Sequence, residues 1–192
     1  MIRRIYLWTI TQAESRHALW ALAFVAFLES SVFPLPPDIL MIPMVLARPR
    51  RAWLIAGVAL AASVAGGLLG YYIGYGLFES VGRPVLEFYG KDVYFEAFRQ
   101  RYNDWGAWAV LIAGVTPFPF KVITILSGAT GLNLGVFILA SIVARGLRFY
   151  VVAALLWKFG APIRMFIERR LGLMFTLFVV ILLGGFYLVK YL

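Results

Sequence analysis

Cysteine is absent from this chain of 192 residues, and histidine occurs once, at position 17. The lack of cysteine excludes disulfide scaffolds, thiolate metal sites and cysteine catalysis. His17 has no histidine or carboxylate at helical metal-binding spacing, so we predict no metal site and interpret it as an interfacial residue. The sequence also has no nucleotide-binding glycine motif and no hydrolase or protease motif. We therefore predict that the protein is not an enzyme and uses no cofactor.

Charged residues are also scarce, at 14% of the chain, whereas 62% is hydrophobic. Soluble domains are about half apolar and a quarter charged, so this composition indicates an all-α polytopic membrane protein. The 18 basic residues outnumber the 9 acidic ones, which gives a net charge of +9. Because the basic residues form short clusters between apolar runs, anionic lipid is a simpler partner than nucleic acid. We predict no nucleic-acid binding.

Three uncharged runs are long enough to cross a bilayer, which requires about 20 apolar residues. They are Ala52–Phe78, Val122–Ala144 and Leu171–Val189. The segment Met1–Arg16 mixes apolar and polar side chains and predicts an interfacial amphipathic helix, with a frayed tail as the alternative. Its apolar stretch is too short for a signal peptide.

Two further apolar stretches, His17–Ala47 and Trp105–Thr130, are interrupted by Pro-x-Pro sequences. Proline removes a backbone donor and disfavours helix at the preceding residue, so neither stretch can continue as one regular helix. Non-helical backbone at membrane depth requires burial in protein or a wet cavity. We predict two re-entrant helical hairpins, with a pair of proline-kinked spanning helices as the alternative. The predicted hairpin tips contain Pro34, Pro36, Pro37, Pro117 and Pro119.

The two interrupted stretches share a pattern. Aligning Phe33–Asp38 on Thr116–Lys121 superimposes both prolines and ends each motif on a charged residue. With a cytoplasmic N-terminus, the distribution of basic residues satisfies the positive-inside rule and the hairpins enter from opposite faces, which is the inverted-repeat plan of many transporters. The predicted organisation is an interfacial helix (1–16), a domain of two repeats (17–160) and a C-terminal transmembrane helix (161–192). The domain divides into a first repeat (17–78), an external linker (79–104) and a second repeat (105–160).

Five ionisable residues fall within the apolar stretches, where each costs about 2.5–3.5 kcal/mol unless it is paired or hydrated. We predict that Lys121, Arg145 and Arg148 bind an anionic substrate, because a guanidinium binds phosphate through two parallel hydrogen bonds. Glu29 and Asp38 are predicted proton-coupling residues, because burial disfavours a charged carboxylate. The alternative is that all five form structural salt bridges between the two repeats.

The sequence resembles the DedA family, whose members are also called VTT or SNARE-associated domain proteins, and in particular its YqaA-like branch. The resemblance depends on Glu29–Asp38, Gly66–Gly76, Thr116–Gly128 and Ala144–Phe149. It implies bacterial inner-membrane proteins with two opposed re-entrant hairpins. Members of the family are linked to movement of phospholipids or polyprenyl phosphates between leaflets, in some cases with dependence on the proton gradient. Lys121 departs from the arginine usual in the family, and lysine cannot make a bidentate phosphate contact.

We therefore predict a flippase or scramblase that moves a phosphate-bearing lipid, either a phospholipid or a polyprenyl phosphate, with coupling to protons. A proton-coupled small-ion transporter and a membrane-organising protein that does not transport are the alternatives. The sequence leaves the lipid, the direction of movement and the oligomeric state open, with a homodimer as one option.

Overall fold

The computed structural model describes residues 17–33, 35–90, 92–116 and 118–189. These residues form helices and connecting turns without a strand, so the all-α expectation is confirmed for them. The α-helices are α1 (Ala18–Ser31), α2 (Asp38–Ala47), α3 (Ala52–Leu77), α4 (Arg83–Phe88), α5 (Asp92–Val115), α6 (Phe120–Ala129) and α7 (Leu134–Val189). A 3₁₀ turn, Pro49–Arg51, precedes α3, and a π-helical turn, Phe78–Gly82, follows it. The interfacial helix predicted for residues 1–16 and the tip prolines Pro34 and Pro117 lie outside the described residues.

The first Pro-x-Pro sequence separates α1 from α2. The first helix ends at Ser31, and the second begins at Asp38 directly after Pro36 and Pro37. The start of α1 and the last turns of α2 pack together in one apolar cluster with the first turns of α3. The chain therefore reverses direction between α1 and α2, and α1 runs parallel to α3.

The second Pro-x-Pro sequence separates α5 from α6. Pro119 precedes α6 in an extended conformation, with φ −61° and ψ 107°. At the far end of the pair, Arg99 Nε and Asn103 Nδ2 of α5 donate hydrogen bonds to the carbonyl of Thr130, which follows α6. The two helices therefore run antiparallel and form a second hairpin.

The apolar run Val122–Ala144 is not a single span, so that prediction is wrong. The sixth helix ends at Ala129, and α7 begins at Leu134. Gly131 adopts φ +67°, and the N–H of Leu132 donates to the carbonyl of Ser127 at 2.9 Å. This left-handed C-terminal motif satisfies the last carbonyls of α6, and glycine adopts it without a steric penalty.

Helix α3 is the centre of the bundle and contacts α1, α2, α6 and α7. Its glycines make these contacts close: Gly66 faces the carbonyl of Phe27 on α1, and Gly74 faces the carbonyl of Ile125 on α6. Gly128 lies inside α6 against the carbonyl of Tyr71. A Cβ atom at any of the three would overlap the opposing backbone, so small residues fix how closely these helices approach.

Within the described part of the chain, two helical stretches are long and apolar enough to cross a membrane, Pro49–Phe88 and Leu134–Gly160. Helices α3 and α7 run antiparallel, since the ring of Phe137 packs against Gly67 and the hydroxyl of Tyr150 packs against Gly57. The described backbone of α7 continues without a break past the predicted boundary near residue 160 to Val189. The domain division and the re-entrant, inverted-repeat arrangement stay predictions.

Replacing Gly66 with alanine tests the close approach of α1 and α3. We expect Gly66→Ala to destabilise the protein by about 1–3 kcal/mol, because the added methyl group overlaps the Phe27 carbonyl. The matched control is Gly76→Ala, since a Cβ atom at Gly76 meets nothing within 4 Å. The measurement is the melting temperature of each purified variant in detergent. Equal melting temperatures for the two variants would show that α1 does not pack against Gly66.

Candidate functional site

The five charged residues predicted from the sequence lie where both hairpins meet α3 and α7. We call them the charged cluster, and its members are Glu29, Asp38, Lys121, Arg145 and Arg148. The ends of three helices contribute to it: the C-terminus of α1 and the N-termini of α2 and α6 bring their charges to the side of α7, which carries Arg145 and Arg148. The two acids come from the first hairpin and the three bases from α6 and α7, and the fold pairs both acids with arginines of α7.

The inner ion pair joins Glu29 of α1 to Arg145 of α7. Arg145 Nη2 donates to Glu29 Oε2 at 2.6 Å, and Arg145 Nε donates to Ser63 Oγ of α3 at 2.7 Å. Ser63 Oγ lies 2.7 Å from Ser30 Oγ, which in turn donates to Glu29 Oε2 at 3.1 Å. These four side chains form a closed ring of hydrogen bonds. The Arg145 side chain is 0% exposed and that of Glu29 only 10%, so the pair is sealed.

Two aromatic rings enclose the guanidinium of Arg145. Its central carbon lies 4.9 Å from the ring centroid of Phe120 on α6 and 4.7 Å from that of Phe149 on α7. A cation over a ring face is attracted by the ring quadrupole, most strongly when it is desolvated. Among the described residues, Arg145 Nη1 has no hydrogen-bond partner although it is buried. The cluster therefore retains one unused guanidinium donor at its centre.

The outer ion pair joins Asp38 of α2 to Arg148 of α7. Arg148 Nη2 donates to Asp38 Oδ2 at 2.6 Å, and Arg148 Nη1 donates to the carbonyl of Thr116 at 2.9 Å. Thr116 directly follows α5, so Arg148 holds both hairpins at once. The two side chains are 17% and 20% exposed, and the outer pair is therefore more accessible than the inner one.

Lys121 is the cation of the cluster that forms no ion pair among the described residues. Its Nζ donates to the carbonyl of Val32, at the tip of the first hairpin, at 3.1 Å. One turn later in α6, Thr124 Oγ1 donates to the carbonyl of Ser30 at 2.9 Å. The two hairpin tips thus contact each other directly, and the cluster carries one positive charge in excess.

Sequence reasoning missed the hydroxyl groups that complete the cluster. Ser30, Ser63 and Thr124 are fully buried, and each bonds to a neighbouring helix. A signal was available for Ser63, because it is the only serine in the otherwise apolar and glycine-rich α3. A hydroxyl in such a helix is stabilised by a polar partner on a neighbouring helix. Of the predicted tip prolines within the described residues, Pro36, Pro37 and Pro119 lie in the helix breaks beside the cluster.

Paired charges between apolar, glycine-packed helices are typical of a membrane protein of the transporter type. Residues 35–158 match the VTT domain, so the chain belongs to the VTT, or DedA, family, and the resemblance is confirmed at that level. The chain is 34% identical over 164 residues to an uncharacterized protein of Haemophilus influenzae. The aligned residues cover 83% of this chain and 85% of that protein. The chain is 35% identical, with the same coverage, to an uncharacterized protein of Histophilus somni. No solved structure matches the chain.

Removing one charge from the sealed inner pair should destabilise the protein more than removing one charge from an exposed pair. We expect Glu29→Gln to lower the free energy of unfolding by about 3 kcal/mol or more, because it leaves the guanidinium of Arg145 buried without a counter-charge. The matched control is Glu79→Gln, which breaks an exposed pair with Arg83. That pair is expected to contribute less than about 1 kcal/mol. Equilibrium unfolding in mixed micelles measures both, and a loss for Glu29→Gln no larger than for Glu79→Gln would contradict this account.

Proposed function

We propose that this protein moves a phosphate-bearing lipid, a phospholipid or a polyprenyl phosphate, between the leaflets of the bacterial inner membrane, with coupling to protons. The observation that carries the proposal is the position of the charged cluster, which contains three bases and two acids where the two hairpin tips meet. A buried cluster with an excess of positive charge is suited to an anionic headgroup. In this proposal the N-terminus lies in the cytoplasm, which the positive-inside rule favours.

The directions of the helices support a re-entrant arrangement. The first hairpin starts beside the first turns of α3, and its tip reaches Ser63, near the middle of that helix. The second hairpin approaches the same level from the other end, since α6 packs along the second half of α3. In this proposal the hairpins enter the bilayer from opposite faces and meet near its midplane, as in inverted-repeat transporters.

Differences in exposure suggest how a headgroup would enter the cluster. Lys121 and Arg148 are partly exposed, so a lipid phosphate would reach them first and displace Asp38 from Arg148. A guanidinium released from a carboxylate can hold phosphate through two parallel hydrogen bonds. Arg145 is sealed, so it would bind phosphate only after Glu29 has released it.

Apolar side chains beside the tips favour a lipid over a small ion as the substrate. Phe33 is 58% exposed, Ile39 53% and Leu35 39%, and all three lie within or directly next to the first helix break. An acyl or prenyl chain attached to the headgroup would find an apolar surface there. A carrier for a small ion would have no use for an apolar surface at the entrance of its site.

Protons would act through the carboxylates. Protonation of Asp38 or Glu29 removes the negative charge that neutralises Arg148 or Arg145, and the guanidinium then attracts the lipid phosphate. Loss of the proton restores the ion pair and releases the headgroup. Since each pair joins two helices, the same event loosens and then restores the contact between the repeats.

Neutralising the two accessible bases tests the proposal. We expect Lys121→Gln and Arg148→Gln each to reduce the rate of lipid flipping about ten-fold or more, because a charge-assisted hydrogen bond contributes about 1.5–3 kcal/mol. The measurement is chemical quenching of fluorescently labelled phosphatidylglycerol and, separately, labelled polyprenyl phosphate in proteoliposomes, with and without a pH gradient.

The control for this experiment is the double variant Arg83→Gln/Arg101→Gln, which removes two exposed bases outside the cluster. It should flip lipid at the wild-type rate. Unchanged flipping by both cluster variants would contradict the assignment of Lys121 and Arg148. If the folded wild-type protein flips neither lipid, the small-ion carrier or the membrane-organising role replaces the proposal.

A further inference from the structure

A second group of basic residues lies at the end of the molecule where α2 passes into α3. Arg50 and Arg51 are exposed in the 3₁₀ turn, and Lys158 is exposed on α7. More than 100 residues separate Lys158 from this turn in the sequence, yet α7 contacts the turn directly. The fold thus brings together two distant segments that carry three exposed cations.

Aromatic side chains border these cations on the side towards the middle of the bundle. The ring centroid of Trp53 lies 6.2 Å from that of Trp157 and 6.0 Å from that of Tyr150. Trp53 is 47% exposed and Trp157 53% exposed. Tryptophan concentrates at the level of lipid headgroups, where its ring is apolar and its N–H remains wet.

The length of α3 places the group at a membrane surface. Trp53 and the exposed Tyr75 mark the two ends of this helix, and at 1.5 Å per residue they lie about 33 Å apart. This spacing matches a hydrocarbon core of about 30 Å. Arg50 and Arg51 precede Trp53 by only two or three residues, so they lie in the headgroup layer.

The charges of the group are not neutralised by acids. Arg50, Arg51 and Lys158 form no ion pair among the described residues. The described exposed acids instead lie on the far side of the bundle, from the π-helical turn to the middle of α5. The group therefore presents a positive surface beside two exposed indole rings.

We propose that Arg50, Arg51 and Lys158, with Trp53 and Trp157, form a binding site for the headgroup of an anionic phospholipid in the leaflet next to this turn. The cations hold the phosphodiester, and the exposed tryptophans with Leu54 contact the upper part of the acyl chains. A soluble anion could use the cations but not this apolar border. The lipid bound here stays in its leaflet, so the site is independent of the proposed transport.

Native mass spectrometry of the intact chain, released from vesicles of equal parts phosphatidylglycerol and phosphatidylcholine, tests the site. Wild type should retain phosphatidylglycerol in preference to phosphatidylcholine. The double variant Arg50→Gln/Arg51→Gln should weaken this retention, and so should Lys158→Gln alone. We expect a loss of about five-fold for each cation removed, because each contributes about 1 kcal/mol near an anionic surface.

The matched control is Arg83→Gln/Arg101→Gln, which removes two exposed bases from the other end of the described helices. Retention of phosphatidylglycerol by this control at the wild-type level supports the site. An equal loss in the control, or no loss in Lys158→Gln, overturns it. Displacement of the lipid by millimolar inorganic phosphate or by a short oligonucleotide also overturns it, because the site would then recognise charge without the lipid chains.

Discussion

The guanidinium of Arg145 imposes the main constraint on this fold, because a fully buried cation costs several kcal/mol unless it is neutralised and hydrogen-bonded. Glu29 neutralises it at 2.6 Å, Ser63 Oγ accepts a hydrogen bond from its Nε, and two phenylalanine rings cover its faces. These partners come from α1, α3, α6 and α7. Neutralising and hydrogen-bonding this one side chain therefore fixes four helices relative to one another and holds the first hairpin against α6 and α7.

Close helix packing makes this arrangement possible. The glycines of α3 allow the backbones of α1 and α6 to approach on either side, and the buried hydroxyls of Ser30 and Thr124 then come within hydrogen-bonding distance of their partners. Larger residues at these positions would push the hairpin tips apart. The tips would then no longer bring their charges together, so the charged cluster depends on the glycines of α3. The chain belongs to the VTT domain family, and two of its described helices are long and apolar enough to cross a membrane, so the cluster lies in a membrane protein.

Much of this organisation could be predicted from the sequence because it depends on local chemistry. Pro-x-Pro cannot continue a helix, and buried charges require partners, so both helix breaks and the five residues of the cluster were expected. The partners within the cluster could not be predicted, because they depend on which helices face each other. Glu29 forms an ion pair with Arg145, and Asp38 forms one with Arg148. The run Val122–Ala144 contains no charged residue and was therefore expected to be one span, although Thr130, Gly131 and Asn133 lie where α6 ends and α7 begins. The role of Ser63 was missed because its partner Arg145 lies 82 residues further along the chain, on α7.

A double-mutant cycle on Glu29 and Arg145 tests the central claim most directly. Free energies of unfolding in mixed micelles would be compared for the wild type, Glu29→Gln, Arg145→Gln and the double variant. Because a sealed pair leaves an uncompensated charge in either single variant, we predict a coupling energy of about 2 kcal/mol or more, with the double variant more stable than the sum of the single losses implies. Additive losses, with a coupling energy below about 0.5 kcal/mol, would contradict the claim that this pair holds the first hairpin against α7.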